Sequence, residues 1–444
     1  MNLVIPAALQ IHFFSKNKKI AGYMQESNRT LLIDSQIIEF IKRNNMTEDK
    51  CQNQYAWVIL GILLVAQIVL ALSAYAWGAL GPFMKEAFSL DNMKFGFITS
   101  ILYLFSVICS IPAGVSVDRW SVKSNLIICM MLMGTAMILA SFVSSYIYLL
   151  VLVVFMGASY GMINPIASKG LTIWFDVKNR ATAFGIRQMG VTAGGAIAGI
   201  LLIYLAGVRN WNFAVFTAGL FSVLTGILVC LFYKETPDDK IEIEHVKKTS
   251  QKITLLDLLK NKNLLLTCLI MTLLCTGQSS IVTFFILYLK EDLGLTPALA
   301  GSFLAIAMIC GGCARIFWGL VSDRLFSGRR LPVMKIICAL AMVSALMIFL
   351  LGQNLPALFF IPIVAFFGFS YLGFQGVAGV LIVELCGAEL AGRATGLGVT
   401  IAWIGMVLGP IVFGAIAEIN YQLAWLFVTI TSSLSVLLCY TIKE

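Results

Sequence analysis

The chain alternates long apolar runs with short polar breaks over most of its length. Each run holds roughly 18 to 25 predominantly apolar residues, the number a helix needs to cross about 30 Å of hydrocarbon at about 1.5 Å per residue. Twelve such runs predict twelve membrane-spanning helices, at 56–80, 95–115, 125–144, 147–171, 182–205, 211–233, 264–289, 298–320, 332–352, 357–385, 395–417 and 422–441. One polar break is much longer than the others. KETPDDKIEIEHVKKTSQK, Lys234 to Lys252, has mixed charge and no apolar period, and reads as a linker between six helices and six. The expected organisation is a cytoplasmic tail over 1–54, a six-helix bundle over 55–233, a cytoplasmic linker over 234–263 and a second six-helix bundle over 264–444.

Composition sharpens this reading. An apolar fraction of 59% with 12% charged residues lies far outside soluble composition, so an all-α protein embedded in the lipid bilayer is expected. The net charge of +9 would point a soluble protein towards nucleic acid, but here the basic residues follow the loops. About seventeen fall in the loops and C-terminal tail on one side, and about seven more in the N-terminal tail, against Lys85, Lys94, Arg209 and Lys290 on the other. Cytoplasmic loops carry the Lys and Arg, so both termini are expected in the cytoplasm, with the protein in the plasma membrane, acting as a monomer without a nucleic-acid partner. The N-terminal 54 residues match no signal peptide, because the first apolar stretch is short, precedes Lys16, Lys18 and Lys19, and lacks a small-residue cleavage site. Within them, LLIDSQIIEFIKR (Leu31 to Arg43) reads either as an amphipathic helix on the inner leaflet or as a loose tail, with Met46 as an alternative start.

The eleven cysteines are scattered, most of them singly through apolar spans, as at Cys109, Cys129, Cys230 and Cys439, and read as small packing residues. Cys310 and Cys313 have C-x-x-C spacing inside GGCARIFWG, where packing stands against redox or metal chemistry. The only histidines, His12 and His245, lie outside the spans, so no histidine relay or histidine-bound metal is expected at the midplane. The spans hold no carboxylate pair and no metal-ligand spacing. An enzyme is not expected, and neither is a cofactor.

The two halves answer each other. GVSVDRW (Gly114 to Trp120) recurs as GLVSDRL (Gly319 to Leu325) at an offset of 205, and NRATAFG (Asn179 to Gly185) recurs as GRATGLG (Gly392 to Gly398) at an offset of 213. Two echoes at nearly equal offset imply a duplicated six-helix unit with both copies oriented alike. With the signature G-x-x-x-D-R at Gly114, Asp118 and Arg119, followed by Lys123, and a second copy at Gly319, Asp323 and Arg324 before Arg329 and Arg330, residues 55 to 441 resemble the major facilitator superfamily. The family pattern has a glycine and two basic residues after the D-R, where this chain has Trp120, Ser121, Val122 and a single lysine.

That resemblance implies two pseudo-symmetric six-helix bundles rocking about a midplane cavity lined by helices one, four, seven and ten. It also implies that Asp118 locks the cytoplasmic side against the start of helix eleven, near Arg393, in keeping with a carboxylate meeting the free N–H groups of a helix N-terminus; Asp323 and Arg324 would repeat the device. Glycines at four-residue spacing, Gly190, Gly194, Gly195 and Gly199 on helix five and Gly405, Gly409 and Gly414 on helix eleven, let backbones approach closely in lipid. Drug-exporting members of the family carry a glycine-proline pair on helix five, where this chain has Gly194-Gly195; the pair Gly409-Pro410 sits on helix eleven instead, which favours uptake over efflux.

Three cations fall within or at the edge of spans: Lys169, Arg187 and Arg315. Arg187, in GIRQMG, lies seven residues after Arg180 and so about 10 Å deeper, where a charge costs on the order of 3 kcal/mol. Its counterpart in the other half is Thr400, so the repeat does not require it. Three readings stand: contact with an anionic substrate, which a guanidinium holds by a two-pronged hydrogen bond; an ion pair with Glu384, the one clear carboxylate within the spans, closing the cytoplasmic gate; or snorkelling to the surface. GIRQ also resembles the organic-anion-carrying members of the family. Further substrate candidates are Gln67, Tyr75 and Trp77 on helix one, Tyr160, Asn164 and Lys169 on helix four, Gln278, Ser279 and Tyr288 on helix seven, and Tyr371 and Gln375 on helix ten, each with helix packing as its alternative. Pro165 lacks an N–H and is expected to break the ladder of helix four beside the site. Arg315 reads as a packing and loop contact. A coupling proton would ride on Glu384 or on the substrate's own carboxylate. The expected function is proton-coupled uptake of a small organic anion by alternating access; efflux or exchange in the same fold, and a transporter-like sensor that moves nothing, are the alternatives.

Overall fold

A helix that satisfies its own backbone hydrogen bonds is the natural form for an apolar run with no water around it, and the chain is helical accordingly. The computed structural model describes residues 55–235, 260–352, 356–386 and 391–442, without the side chains at 118, 177, 178, 181 and 391–393. Twelve helices among these residues are long and apolar enough to span a membrane: α1 Tyr55–Ala79, α2 Asn92–Val117, α3 Val122–Ala140, α4 Tyr146–Trp174, α5 Thr182–Val208, α6 Trp211–Phe232, α7 Lys262–Glu291, α8 Pro297–Arg324, α9 Leu331–Leu351, α10 Ala357–Cys386, α11 Ala394–Ala417 and α12 Tyr421–Thr441. Their best windows have mean hydropathy from 1.8 to 2.5. The expected tail and most of the linker, with His12, His245, Met46 and the segment 31–43, lie outside the described residues.

The polar breaks supply the helix starts. Asp91, Ser121, Asn210, Asn261, Thr296 and Asn420 each accept a backbone N–H two or three residues on, at 2.6 to 3.4 Å, so side chains fill the orphan donors of α2, α3, α6, α7, α8 and α12. Around α1 and α7, the most buried spans at 67% and 72% of their windows, α2 packs on α4 and α11, α3 on α6, α5 on α8, α7 on α11, and α9 on α12. Residues 59–444 form one compact unit.

Two helices depart from regular geometry, and neither departure is where Pro165 predicts it. The α4 ladder runs unbroken from Tyr146 to Trp174 through Pro165, because a proline removes one donor and need not open the helix around it. Instead, five-residue wide turns occur at Ala198–Leu202 in α5 and Gly368–Leu372 in α10. The second is followed by a turn at 373–374 that interrupts α10 deep in the body.

Below, the tail face is the end where α1 begins and α12 ends, and the far face is the opposite end.

Candidate functional site

Arg187 is carried on α5 about 7 Å in from the start of that span, a rise of five residues. Its side chain turns into the protein and is 4% exposed, so snorkelling is ruled out as its explanation. Nη1 donates to Gln67 Oε1 of α1 at 2.8 Å and to Asn164 Oδ1 of α4 at 3.3 Å. Nη2 donates to the same Asn164 oxygen at 3.3 Å and to Gln188 Oε1 at 3.0 Å. Nε is buried with no partner.

Small residues build this junction. A Cβ on Gly190 would lie 3.0 Å from Gln67 Cβ, and one on Gly194 would strike the Ile68 carbonyl and come 2.7 Å from Ala71 Cβ. Only glycine lets α5 lie this close to α1, which is what brings Gln67 within reach of the guanidinium. One turn further, the Tyr75 ring lies over Gly195, beside Met308 of α8.

Arg315 of α8 is half-buried and makes no loop contact. Its Nη1 donates to the Gln188 carbonyl at 2.9 Å, Nε to the Leu372 carbonyl at 3.1 Å and Nη2 to Gln375 Oε1 at 3.0 Å. Gln375 Nε2 donates in turn to Gln278 Oε1 of α7 at 3.2 Å. The interruption of α10 explains the acceptors: a wide turn leaves carbonyls without helical donors, and Arg315 and Trp318 take them, the latter at the Phe369 carbonyl at 2.6 Å. The result is one polar belt, Gln67 and Asn164 to Arg187 to Gln188 to Arg315 to Gln375 to Gln278, crossing from the first six spans to the last six. Tyr75 and Tyr160 lie within electrostatic reach of Arg315, and Arg315 within that of Arg187.

Of the other substrate candidates, Tyr160 stacks on Trp403 of α11, ring centroids 6.3 Å apart. Tyr371 is placed elsewhere: its hydroxyl bonds Ser432 of α12 and donates to the Ala341 carbonyl of α9 at 3.2 Å, fastening α10 to its neighbours. Trp77 is fully buried with its indole N–H unpartnered. Ser279 donates to the Gly405 carbonyl of α11, and Tyr288 packs on Tyr421 and Trp425, away from the belt. Lys169 donates to the Val117 carbonyl at the end of α2. Gln188, Arg315 and Trp403 are the belt and wall residues that sequence reasoning missed. Gln188 stood next to Arg187 in the quoted motif, and Trp403 was the one tryptophan in a glycine-rich span.

The gate candidates sit at the tail face. Arg330, between α8 and α9, pairs with Asp323 at 2.5 Å and Glu384 at 3.2 Å, and also donates to Ser322. Glu384 is half-exposed and joins this cluster at the end of α10, so it is no partner for Arg187 and no midplane proton carrier; α10 puts it beyond the buried layer. Arg119 and Arg324 are exposed, and a Cβ on Gly114 would meet nothing. The side chains of Asp118 and Arg393 lie outside the described residues. At the far face, Lys85 pairs with Glu291 at 2.9 Å and donates to Asn92; Asn92 N–H donates to Glu418; and Tyr421 donates to Glu291 and Asn92. The bonds from Arg315 to Gln188, Thr283 to Thr99, Lys85 to Glu291 and Asn92 to Ala417 and Glu418 join the first six spans to the last six in the belt and towards this far face.

No ion-pair partner for Arg187 or Arg315 exists among the described residues, and every oxygen bonded to them is a neutral amide or carbonyl. Neutral acceptors relieve the desolvation of a guanidinium without cancelling its charge. No three His, Cys, Asp or Glu side chains converge as metal ligands among the described residues, and Cys310 and Cys313 are free thiols.

The family profile described as Major Facilitator Superfamily matches residues 63–410. A hexuronate transporter of Bacillus subtilis (strain 168) is 24% identical over 272 residues, 60% of this chain and 64% of that protein, so the match spans somewhat under two thirds of the relative. The membrane sensor protein UhpC of Escherichia coli (strain K12) is 24% identical over 337 residues, 72% of this chain and 76% of that one. Among solved structures, a bacterial homolog of the human lysosomal transporter Spinster, inward-facing and occupied, superposes with a TM-score of 0.75 at 15% identity, covering 87% of this chain and 97% of the other.

Proposed function

The chain belongs to the major facilitator superfamily, and on that footing we propose that it carries a small organic anion across the plasma membrane by alternating access, with Arg187 as the anion's seat. One observation carries this reading: a guanidinium 4% exposed, deep in the body, with neutral partners only and a free Nε–H. An unneutralised charge held at that depth is expensive unless something visits it. A carboxylate or phosphonate-like group supplies the missing charge and takes the open prong. Gln67, Asn164 and Gln188 hold the fork in place, while Tyr75, Tyr160 and Trp403 wall the path and Gln278 and Gln375 face it from the other half.

In this reading the tail face is cytoplasmic and the far face external, as the basic loops favour. The far-face bonds from Lys85 and Asn92 to Glu291, Glu418 and Tyr421 then close the outside, and the bundles 55–233 and 264–444 rock about the belt. Asp118 and Arg393 would serve the cytoplasmic gate, with Asp323 and Arg330 as its second-half counterpart. Glu384, paired with Arg330, lies out of the path and is not the carrier of a coupling proton. The relative named as a hexuronate transporter supports an anionic cargo; the relative named as a sensor keeps alive a form that binds and does not move it.

Uptake of labelled glucuronate and of short-chain dicarboxylates into proteoliposomes under an imposed pH gradient tests the reading. Accumulation by the native chain, falling at least about tenfold in Arg187→Gln at equal reconstitution, is the expected result. Unchanged uptake by the variant removes the anion assignment, and binding without accumulation assigns the sensor.

A further inference from the structure

We infer that Arg315 is a second cationic arm of the same site, contributed by the last six spans, and that the cargo therefore carries two anionic groups. This rests on the reading of Arg187 above and goes beyond it in naming the valence of the substrate.

The geometry starts at Gln188. Arg187 binds its side-chain oxygen at 3.0 Å and Arg315 its backbone oxygen at 2.9 Å. The two forks are thus separated by no more than one glutamine side chain and two hydrogen bonds, roughly 12 Å between their nitrogens at most. A linear diacid of about three to six carbons, with one carboxylate on each fork, fits that span. Arg315 leans from α8 towards the first-half residues Gln188, Tyr75 and Tyr160.

Charge balance points the same way. Two like charges at this distance repel in a low-dielectric interior, and no carboxylate among the described residues offsets either. A monoanion leaves one cation uncompensated. A dianion neutralises both and bridges α5 of one half to α8 of the other, so it has greater affinity for the closed arrangement than for one in which the halves stand apart, which is the condition for a ligand to drive the change.

The test measures binding to the full chain in detergent by calorimetry, using succinate, glutarate and adipate against their monoamides, which match them in length and lack one charge. The native protein is expected to bind at least one diacid tenfold or more tighter than its monoamide. Arg315→Gln should bring that ratio close to one, and Arg315→Lys should keep most of it. Should the glutamine variant fold poorly, the native chain answers alone: its preference should vanish as pH falls through the diacid's second ionisation, below which diacid and monoamide carry the same single charge. The inference is overturned by an unchanged ratio in Arg315→Gln, by a native protein that does not distinguish diacid from monoamide, or by one that takes up glucuronate and binds no diacid. Retained Arg187-dependent uptake of glucuronate in any of these cases leaves the broader anion reading standing.

Discussion

Gln67 shows how a neutral side chain can hold a charge in place. Its oxygen lies 2.8 Å from Arg187 Nη1, and a hydrogen bond to a charged group is worth about 1.5–3 kcal/mol. Gln67→Leu is therefore expected to lower the melting temperature of the purified protein and to weaken anion binding, with added anion restoring part of the lost stability; a variant as stable and as active as the native chain would show that Asn164 and Gln188 suffice. The sequence exposed Arg187 because a cation inside an apolar span is conspicuous. It did not expose Arg315 as a site residue, because a cation near a helix end reads equally as a loop contact until the interruption of α10 shows what it binds.

At the scale of the helix, close approach and end-capping can be tested separately. Gly194→Val would drive its side chain into the Ile68 carbonyl and push α5 off α1, so expression or transport should be lost. Gly185→Ala, five residues before Gly190 with open space around it, should leave both intact. The Asp91 cap is measurable by pH. Its carboxyl is held below the ordinary carboxylate range, chiefly because it accepts the Lys94 backbone N–H. A depressed carboxyl contributes stability that is present above about pH 4 and is lost as pH falls through its lower folded value. Asp91→Ala should flatten that acid limb of a melting-temperature profile and cost about 1 kcal/mol at neutral pH; an unaltered acid limb would assign the effect to other groups. Helix starts such as this one were legible, since Asp, Asn, Ser and Thr before an apolar run announce themselves. The wide turns were not: nothing in GFSYL distinguishes it from neighbouring apolar stretches, while Pro165, a strong signal, sits in an intact helix.

For the whole molecule the question is which end opens. Lys85 and Asn92 tie the first six spans to Glu291, Glu418 and Tyr421 of the last six, and beneath them Thr283 donates to Thr99 at 3.2 Å. Glu291→Gln removes the ion pair with Lys85 and should let the far face open more often. In a cysteine-free background, Thr99→Cys should react slowly with an impermeant maleimide and several-fold faster when Glu291→Gln is added. Equal rates would mean that the contact is incidental to closure.

By itself the sequence determined the twelve spans, the duplicated six-and-six order and the presence of a buried cation, because apolar run length, repeated motifs and a charge amid hydrocarbon are properties of the chain read in one dimension. Which oxygens face that cation was decided only by tertiary structure. Gln67, Asn164 and Gln188 reach Arg187 from three different helices, which depends on glycine-limited approach, while Gln375 meets Arg315 from a fourth, an interrupted α10 whose carbonyls seek donors across the protein. Composition likewise named Glu384 as the nearest candidate anion, whereas packing placed it beside Arg330. An ion pair requires two groups within a few ångströms, and that distance is fixed by how the helices pack rather than by their order along the chain.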